Sequence, residues 1–375
     1  MNKIPPERRA QVMSEYLLQL LWVLVGGYII KAVAKKQTVM VLGRREERWS
    51  VSSALALMIP IILWAGFRDR WFSDTGAYVR AFIGLPDTFS ELPAYLETVT
   101  KDKGFAVFSC LIKILITDNY RVYLLIIAAI QGLILALIFR KYSSDYWLSV
   151  FLFIAATDYI SWMFNGIRQF LAVVIVLAGT KWLLEKRHIP YIILVLFASL
   201  FHQTAFIMIP IAFIVQGKAW NGKTILFIVL SVAAVFFVDK FTNILENMLS
   251  DTQYQNVVSD WQSWNDDGTN FLRVLVYSVP AILAFIGRKR IIADDDPVIT
   301  MATNASLITV GIYAVSMVTS GIFIGRLPIY VSLYSNCILL PWEIGNVFAR
   351  STSQLLKLLL IVCYIGFFMY AMGLI

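Results

Sequence analysis

The feature that most constrains this chain is a succession of long apolar runs separated by short clusters of charge. A helix that crosses a bilayer needs about 20 mainly apolar residues, and most of these runs approach that length. Of the 375 residues, 59% are hydrophobic and only 15% are charged, against about 25% charged residues in soluble domains. The sequence therefore predicts a polytopic membrane protein and excludes a soluble multidomain enzyme, a disordered chain and a disulfide scaffold.

Basic clusters predict the direction of each span, because Lys and Arg collect in cytoplasmic loops. We assign four clusters to the cytoplasm, at residues 31–48, 140–141, 181–187 and 288–290. Between two cytoplasmic loops the chain must cross an even number of times. The apolar run 105–116 is therefore predicted to be interfacial or re-entrant. The run 190–215 is predicted to enter and return as two half-length helices broken near His202, with one tilted helix as the alternative.

These spans predict an all-α fold with about 10–12 transmembrane helices plus short re-entrant or interfacial helices. We expect one integral membrane domain over residues 1–375, with external loops at 68–103 and 239–270. The second loop carries Trp261 and Trp264, which suit a membrane interface. The N-terminal segment has no cleavable signal pattern, so the first helix is expected to remain as an anchor.

Composition gives little support to metal or redox chemistry. Cys110, Cys337 and Cys363 lie in apolar runs without CxxC spacing, so we interpret them as small buried hydrophobic residues. There is no HExxH motif, Cys/His cluster or convergent carboxylate pair, and we expect neither a metal nor a cofactor. The net charge of +8 follows from the cytoplasmic loops and does not indicate a nucleic-acid partner.

Several polar residues remain at the predicted outer ends of spans, where burial is costly and therefore often functional. They are Arg68, Asp69, Arg70 and Asp74 in GFRDRWFSDTGAY, Arg168 and Gln169 in FNGIRQF, His202 in LFHQTAF, Arg273, and Arg326 in GIFIGRLPIY. Guanidinium groups present a planar fork of donors that suits phosphate or pyrophosphate. The alternatives are that these arginines extend to lipid headgroups, that Asp69 and Asp74 only balance neighbouring arginines, and that His202 is a packing residue.

Four stretches, in this order, resemble the EpsG-like family of bacterial exopolysaccharide polymerases, which are related in function to Wzy-type polymerases. The stretches are GFRDRWFSDTGAYVRAF, KGFAVFSCLIKIL, NGIRQFLAVVIVLAGTKWLLEKR with LVLFASLFHQTAFIMIPI, and GRLPIYVSLYSNCILLPW. Arg68, Asp74 and Tyr78 occupy the places of the first family motif. The chain departs from the family at Phe72-Ser73, where glycine and threonine are usual, and at Asp102-Lys103, where glutamate and proline are usual.

The resemblance implies a multi-pass glycosyltransferase of the bacterial cytoplasmic membrane, with a GT-C-like arrangement as one candidate and an active site facing outside. Its donor and acceptor would both be oligosaccharide repeat units linked to undecaprenyl pyrophosphate. A chain-length regulator and export machinery are further expected partners. A transporter or flippase of lipid-linked oligosaccharide and a glycan ligase are the rival interpretations, but the chain lacks the matched halves typical of transporters.

The resemblance also suggests roles for the polar residues. Arginines can stabilise the pyrophosphate leaving group without a metal, while His202, or alternatively Asp74, would act as the base for the acceptor hydroxyl. The reaction would be an inverting single displacement. The candidate catalytic residues are His202, Asp74 and Arg168, and the candidate substrate-binding residues are Arg68, Arg326, Arg70, Arg273, Gln169 and Tyr78.

Overall fold

The computed structural model of the chain describes residues 6–72, 74–249 and 268–374, and these are mainly helical. The predicted all-α membrane class is confirmed. The first eleven helices are α1 (Pro6–Leu21), α2 (Gly27–Val33), α3 (Val51–Phe67), α4 (Thr75–Ile83), α5 (Leu92–Thr98), α6 (Lys103–Leu115), α7 (Tyr120–Tyr142), α8 (Tyr146–Ala155), α9 (Asp158–Asn165), α10 (Ile167–Ala178) and α11 (Thr180–Leu184).

The later helices include several short or interrupted segments. They are α12 (His188–Ser199), α13 (Met208–Val215), α14 (Gly222–Phe236), α15 (Val238–Leu249), α16 (Phe271–Ile286), α17 (Arg288–Asp294), α18 (Pro297–Met317), α19 (Ile329–Tyr334), α20 (Leu340–Asn346) and α21 (Arg350–Ala371). Short 3₁₀ helices span Gln203–Ile207 and Ile324–Arg326, and π-helical turns join α1 to α2 and α19 to α20.

Several of these helices are suited to cross a membrane. Within the described ranges, four continuous helices have the length and apolar character of a span, and the number rises to seven if each bent helix pair is one span. The bends are sharp, with 108° between α14 and α15. Four further apolar segments of 10–17 residues are shorter, and they include α3, α10 and α12. The predicted spans therefore fall on helices of a polytopic membrane protein.

Two predictions about incomplete crossings agree with the helix bounds. Helix α6 has 13 residues, about 20 Å of length, whereas the hydrocarbon core is about 30 Å thick. The apolar run after residue 190 is interrupted, because α12 ends at Ser199 and a 3₁₀ helix begins at Gln203. The break near His202 is thus present, and the alternative of one continuous tilted helix is wrong.

The basic segment after α2 contains an unexpected β-hairpin. Strands β1 (Lys36–Val41) and β2 (Arg44–Trp49) pair antiparallel, with Lys36 opposite Trp49. Leu42 and Gly43 both have positive φ angles, as a two-residue type I′ turn requires. Arg140 on α7 donates to the Trp49 carbonyl at 2.5 Å. The predicted loop at 31–48 is therefore partly an ordered hairpin held by α7.

The contacts divide the chain into two compact units. Unit 1 comprises Met1–Thr180, Pro190–Phe206 and Leu355–Ile375, and unit 2 comprises Lys181–Ile189 and Ile207–Gln354. The prediction of a single membrane domain stays a prediction. The segment 68–103, which is predicted to be an external loop, contains α4 and α5, and the second predicted external loop, 239–270, overlaps α15. Trp261 and Trp264 lie outside the described residues.

Helices α3 and α7 form the most extensively packed helix pair of unit 1. Two glycines permit their close approach, because a Cβ on Gly66 would lie 2.7 Å from the Leu125 Cα, and one on Gly132 would lie 2.3 Å from the Ile62 side chain. Small residues let membrane helices approach in this way. The crossing fixes the end of α3, where Arg68 begins the first functional motif.

The cysteines differ in burial. Cys110 and Cys337 are buried as predicted, whereas Cys363 is exposed. Cys363 lies on α21, most of whose residues are half-buried or exposed. Its interpretation as a buried residue is wrong, since a membrane helix can be apolar on a face that does not pack against its own chain.

Candidate active site

A polar cavity of about 460 Å³ lies in unit 1. Helices α4 and α5 and the loops beside them contribute one part of its wall, and α6, α7 and α10 contribute the rest. We call it the arginine cavity. Its polar lining consists of Asp74, Tyr78, Tyr95, Lys101, Asp102, Ser109, Tyr123 and Arg168.

Arg168 is held in this cavity by an ion pair. Its Nη1 lies 2.7 Å from the Oδ2 of Asp102. The Asp102 side chain is only 4% exposed, whereas that of Arg168 is 40% exposed. The carboxylate therefore orients the guanidinium from the buried side, and the exposed part of the guanidinium remains accessible to a ligand.

The backbone around Asp102 explains how its carboxylate reaches Arg168. Asp102 has a left-handed conformation, with φ 53°, and its side chain does not cap α6. Instead, the amides of Gly104 and Phe105 donate to the Leu200 carbonyl at 2.9 and 3.3 Å. This carbonyl satisfies the start of α6, so the Asp102 carboxylate is available for the ion pair.

Gly104 allows α6 to approach the end of α12. A Cβ at this position would lie 2.5 Å from the Leu200 Cβ and 2.8 Å from its carbonyl oxygen. Any larger residue would push the two chain segments apart. The glycine of the KGF motif is therefore a packing requirement of the site.

His202 joins the same cluster through a threonine. The Thr204 hydroxyl lies 2.6 Å from the Nδ1 of His202, and the Nε2 of Gln169 donates to this hydroxyl at 3.3 Å. Gln169 is the chain neighbour of Arg168. The structure thus joins Arg168 to Asp102, and Gln169 to His202 through Thr204. Gln169, Thr204 and His202 are not among the residues that line the arginine cavity. The sequence analysis did not select Asp102 or Thr204.

Arg68 is buried and bonded to several parts of unit 1. Its Nε donates to the Thr75 hydroxyl at 2.9 Å, its Nη1 donates to the Ala65 carbonyl, and its Nη2 donates to the Phe164 carbonyl at 3.4 Å. These bonds connect the end of α3 to the start of α4 and to α9. Arg68 therefore positions α4, which carries residues that line the cavity; its predicted contact with substrate stays a prediction.

Asp74 and Tyr78 lie at the start and along one side of α4, and both line the arginine cavity. The Tyr78 hydroxyl donates to the Asn165 carbonyl at 3.0 Å. Burial raises the pKa of Tyr78, although the Arg168 guanidinium acts in the opposite direction. Tyr78 is therefore a neutral hydroxyl at neutral pH, and it connects α4 to the turn before Arg168.

The motif departures have different outcomes. Phe72 stands where the family usually has glycine. It is 3% exposed and packs against the rings of Phe164 and Trp64, so its role is to fill the core at this position. Ser73 lies outside the described residues.

Arg70 stacks over Trp71 at 4.9 Å and is exposed, and it is not among the residues that line the cavity.

Arg326 and Arg273 belong to unit 2. Arg326 ends the short 3₁₀ helix Ile324–Arg326, and Arg273 lies in the first turn of α16. Their convergence with the arginines of unit 1 stays a prediction. Within the described parts of the chain, no group of three or more His, Cys, Asp or Glu side chains is placed to hold a metal ion.

Asp102 and Thr204, the two residues that the sequence analysis did not select, lie beside or within the stretches that resemble the family. Asp102 directly precedes the KGF stretch, and Thr204 ends the FHQT stretch. Neither residue type alone predicts a partner, because Asp102 and Arg168 are 66 positions apart and Gln169 and Thr204 are 35 apart. Their roles follow only from the tertiary contact.

Comparison with known proteins gives a family for nearly the whole chain. The model of the EpsG family matches residues 53–373. No curated protein and no solved structure matches the sequence significantly. The match includes every element of the arginine cavity and all the candidate residues. The chain therefore belongs to the EpsG family, and this membership indicates a membrane glycosyltransferase that polymerises polysaccharide.

Proposed function

We propose that the protein joins oligosaccharide repeat units carried on a polyprenyl pyrophosphate, and that the arginine cavity is where the reaction occurs. The observation that carries the proposal is the partly exposed Arg168, which a buried carboxylate orients. Its chain neighbour Gln169 is linked through Thr204 to His202. The family membership supports polymer formation. Arg168 and Lys101 place two positive groups in the cavity lining, and Asp102 and Asp74 balance them in the absence of substrate.

Charge at the leaving group is the main electrostatic demand of the reaction. When the glycosidic bond to the pyrophosphate breaks, negative charge develops on the departing oxygen. A fixed guanidinium stabilises such charge strongly in a site of low dielectric constant. Arg168 is suited to this role because Asp102 holds its orientation before the substrate arrives, and Lys101 adds a second positive charge to the cavity lining.

The acceptor needs a base. In the proposed step, an acceptor hydroxyl loses its proton to His202 as its oxygen forms a bond to the anomeric carbon. The bond from that carbon to the pyrophosphate oxygen breaks, and the electron pair leaves with the lipid carrier. Thr204 holds the imidazole through Nδ1. Asp74, which lines the cavity directly, is the alternative base. A single displacement of this kind inverts the anomeric configuration.

The proposed orientation places the cavity towards the outside of the cytoplasmic membrane. Helix α10 begins beside Arg168 and leads through α11 to the basic residues at 181–187. Because such clusters remain in the cytoplasm, the Arg168 end of α10 is expected on the opposite side. Helices α4 and α5 belong to the segment 68–103, which is expected on the same outer side, and residues of this segment line the cavity.

The experiment uses purified protein reconstituted in vesicles with its lipid-linked repeat unit as the only substrate and with EDTA present. We expect a ladder of polymers whose length increases with time, because the proposed chemistry needs no metal. If repeat units never lengthen but the lipid-linked donor crosses the bilayer, the protein is a transporter and the proposal is wrong. If the glycan moves once to another acceptor without a ladder, it is a ligase.

A further inference from the structure

A second polar cavity, of about 370 Å³, lies within unit 2. Three connections meet around it: the turn after α11, the loop between α13 and α14, and the link between α17 and α18. We call it the lysine pocket. Its polar lining consists of Lys186, Gln216, Lys218, Asp295 and Thr300. The volume is at the lower end of the range for small-molecule sites.

The loop that supplies Lys218 is held rigidly by a buried asparagine. Asn304 of α18 is fully buried, and its Nδ2 donates to the carbonyls of Val215 and Lys218 at 2.9 and 3.0 Å. Its Oδ1 accepts from the Trp220 amide at 2.9 Å. One side chain thus fixes three points of the loop, and such preorganisation lowers the entropic cost of binding.

A second bond ties this loop to the turn that carries Lys186. Gln216 Nε2 donates to the Leu183 carbonyl at 3.0 Å. Lys186 itself has a left-handed backbone with φ 57°, and Asp295 on the third connection has φ 44°. Non-glycine residues keep such conformations only where the surrounding structure imposes them. The backbone positions of Lys186 and Asp295 are therefore set by the fold, while the side chains of Lys186, Lys218 and Asp295 are exposed and accessible to a ligand.

The lining combines two kinds of chemistry. Lys186 and Lys218 come from different connections and provide two ammonium groups, which bind phosphate as point charges. Asp295, Gln216 and Thr300 add a carboxylate, an amide and a hydroxyl, the groups that bind neutral hydroxyls. An anion alone would use the two lysines and find no favourable partner in Asp295, whereas a ligand with a phosphate at one end and hydroxyls at the other matches both parts.

We propose that the lysine pocket binds a phosphate ester that carries free hydroxyls beside the phosphate. The phosphate lies between Lys186 and Lys218, and the hydroxyls reach Asp295. Two sources share this chemistry, a soluble sugar phosphate and the phosphoglycerol headgroup of an anionic lipid. The basic residues at 181–187 and 288–290 assign these connections to the cytoplasm, so either source is on the cytoplasmic side.

The test measures thermal unfolding of the full-length protein in nanodiscs. One arm adds glucose 1-phosphate to phosphatidylcholine nanodiscs, and the other replaces phosphatidylcholine by phosphatidylglycerol. We expect at least one probe to raise Tm saturably. In the double variant Lys186→Gln/Lys218→Gln, the apparent affinity should fall by about tenfold or more, since charged hydrogen bonds are lost. The control Lys289→Gln removes an exposed lysine outside the pocket and should leave the response unchanged.

The two arms of the experiment distinguish a soluble sugar phosphate from a lipid headgroup as the ligand, and their results can contradict the proposal. A response to glucose 1-phosphate identifies a soluble ligand, and a response to phosphatidylglycerol alone identifies a headgroup. Asp295→Asn should weaken binding of either one, because the carboxylate accepts from the hydroxyls. The proposal is wrong if no probe raises Tm, if the double variant responds like the wild type, or if inorganic phosphate binds as tightly as the hydroxyl-bearing probes.

Discussion

At the scale of single residues, the ion pair between Asp102 and Arg168 fixes the orientation of the guanidinium in the arginine cavity. The buried carboxylate would be costly alone, and Arg168 compensates it at 2.7 Å. Removing Arg168 would leave the buried carboxylate uncompensated, whereas removing the carboxylate would leave a partly exposed guanidinium without the group that orients it. Asp102 is therefore a positioning residue for the guanidinium that we propose to meet the pyrophosphate.

Asp102→Asn tests this role without changing the size of the side chain. Asn tolerates the left-handed backbone, so the fold should persist while the charge that orients Arg168 is lost. We expect kcat for polymer extension to fall by about tenfold to a hundredfold. Asp102→Glu, which restores the charge and the residue usual in the family, should recover much of the activity. Unchanged kcat in Asp102→Asn would show that the ion pair is only structural.

Thr204 holds His202 through a single hydroxyl. Thr204→Val keeps the shape of the side chain but removes that hydroxyl, so the imidazole loses its orientation. We predict about a tenfold fall in kcat with little change in KM, measured from the rate of polymer growth. Thr204→Ser retains the hydroxyl and serves as the control. Equal rates for the Val and Ser variants would contradict a role for this bond.

At the scale of secondary-structure elements, two glycine contacts place the helices that carry the site. Gly104 sets α6 against the end of α12, and Gly66 sets α3 against α7. In both cases the nearest atoms to a Cβ include backbone atoms, which cannot move away as a flexible side chain does. The effect of a methyl group at each glycine therefore reports on the packing of these helices.

Gly104→Ala should displace the start of α6, and with it Asp102. We expect the rate of polymer extension to fall strongly while Tm changes little, because the site depends on this contact and most of the core does not. The measurement compares polymer extension with Tm in the same preparation. A variant that keeps full activity would show that the approach of α6 to Leu200 is not required.

Gly66→Ala is predicted to destabilise unit 1 by about 1–3 kcal/mol, the usual cost of overpacking. Gly366→Ala on α21 is the matched control, since no atom lies within 4 Å of its Cβ position and alanine favours a helix there. Denaturation in mild detergent gives both free energies of unfolding. Similar stability for the two variants would contradict the close α3–α7 crossing.

At the scale of the whole molecule, the lengths of the apolar runs and the positions of the basic clusters predicted more of the helix arrangement than the local motifs did. They placed the helices, the short α6 and the break near His202, because the bilayer imposes length and charge rules on every span. The motifs identified Arg168, Gln169 and His202 as candidates. The pairing of Asp102 with Arg168 was missed, since it joins residues far apart in the sequence.

The β-hairpin shows a different limit of the sequence. The segment KQTVMVLGRREERW is strongly charged, and that charge indicated only a cytoplasmic loop. Its order comes partly from Arg140 of α7, about 90 positions later, which donates to Trp49 and to Gln37. A contact of this kind is set by tertiary packing and has no local pattern.

The most direct test of the central claim compares polymer extension by the wild type with Arg168→Ala, His202→Ala and Arg121→Ala. Arg121 lies in the first turn of α7 and is exposed outside the arginine cavity, so it is a matched arginine control. We predict that the Arg168 and His202 variants remain folded but lose extension by about a hundredfold or more, while Arg121→Ala keeps wild-type rates. Wild-type ladders from the folded Arg168→Ala variant would contradict the assignment of the reaction to this cavity.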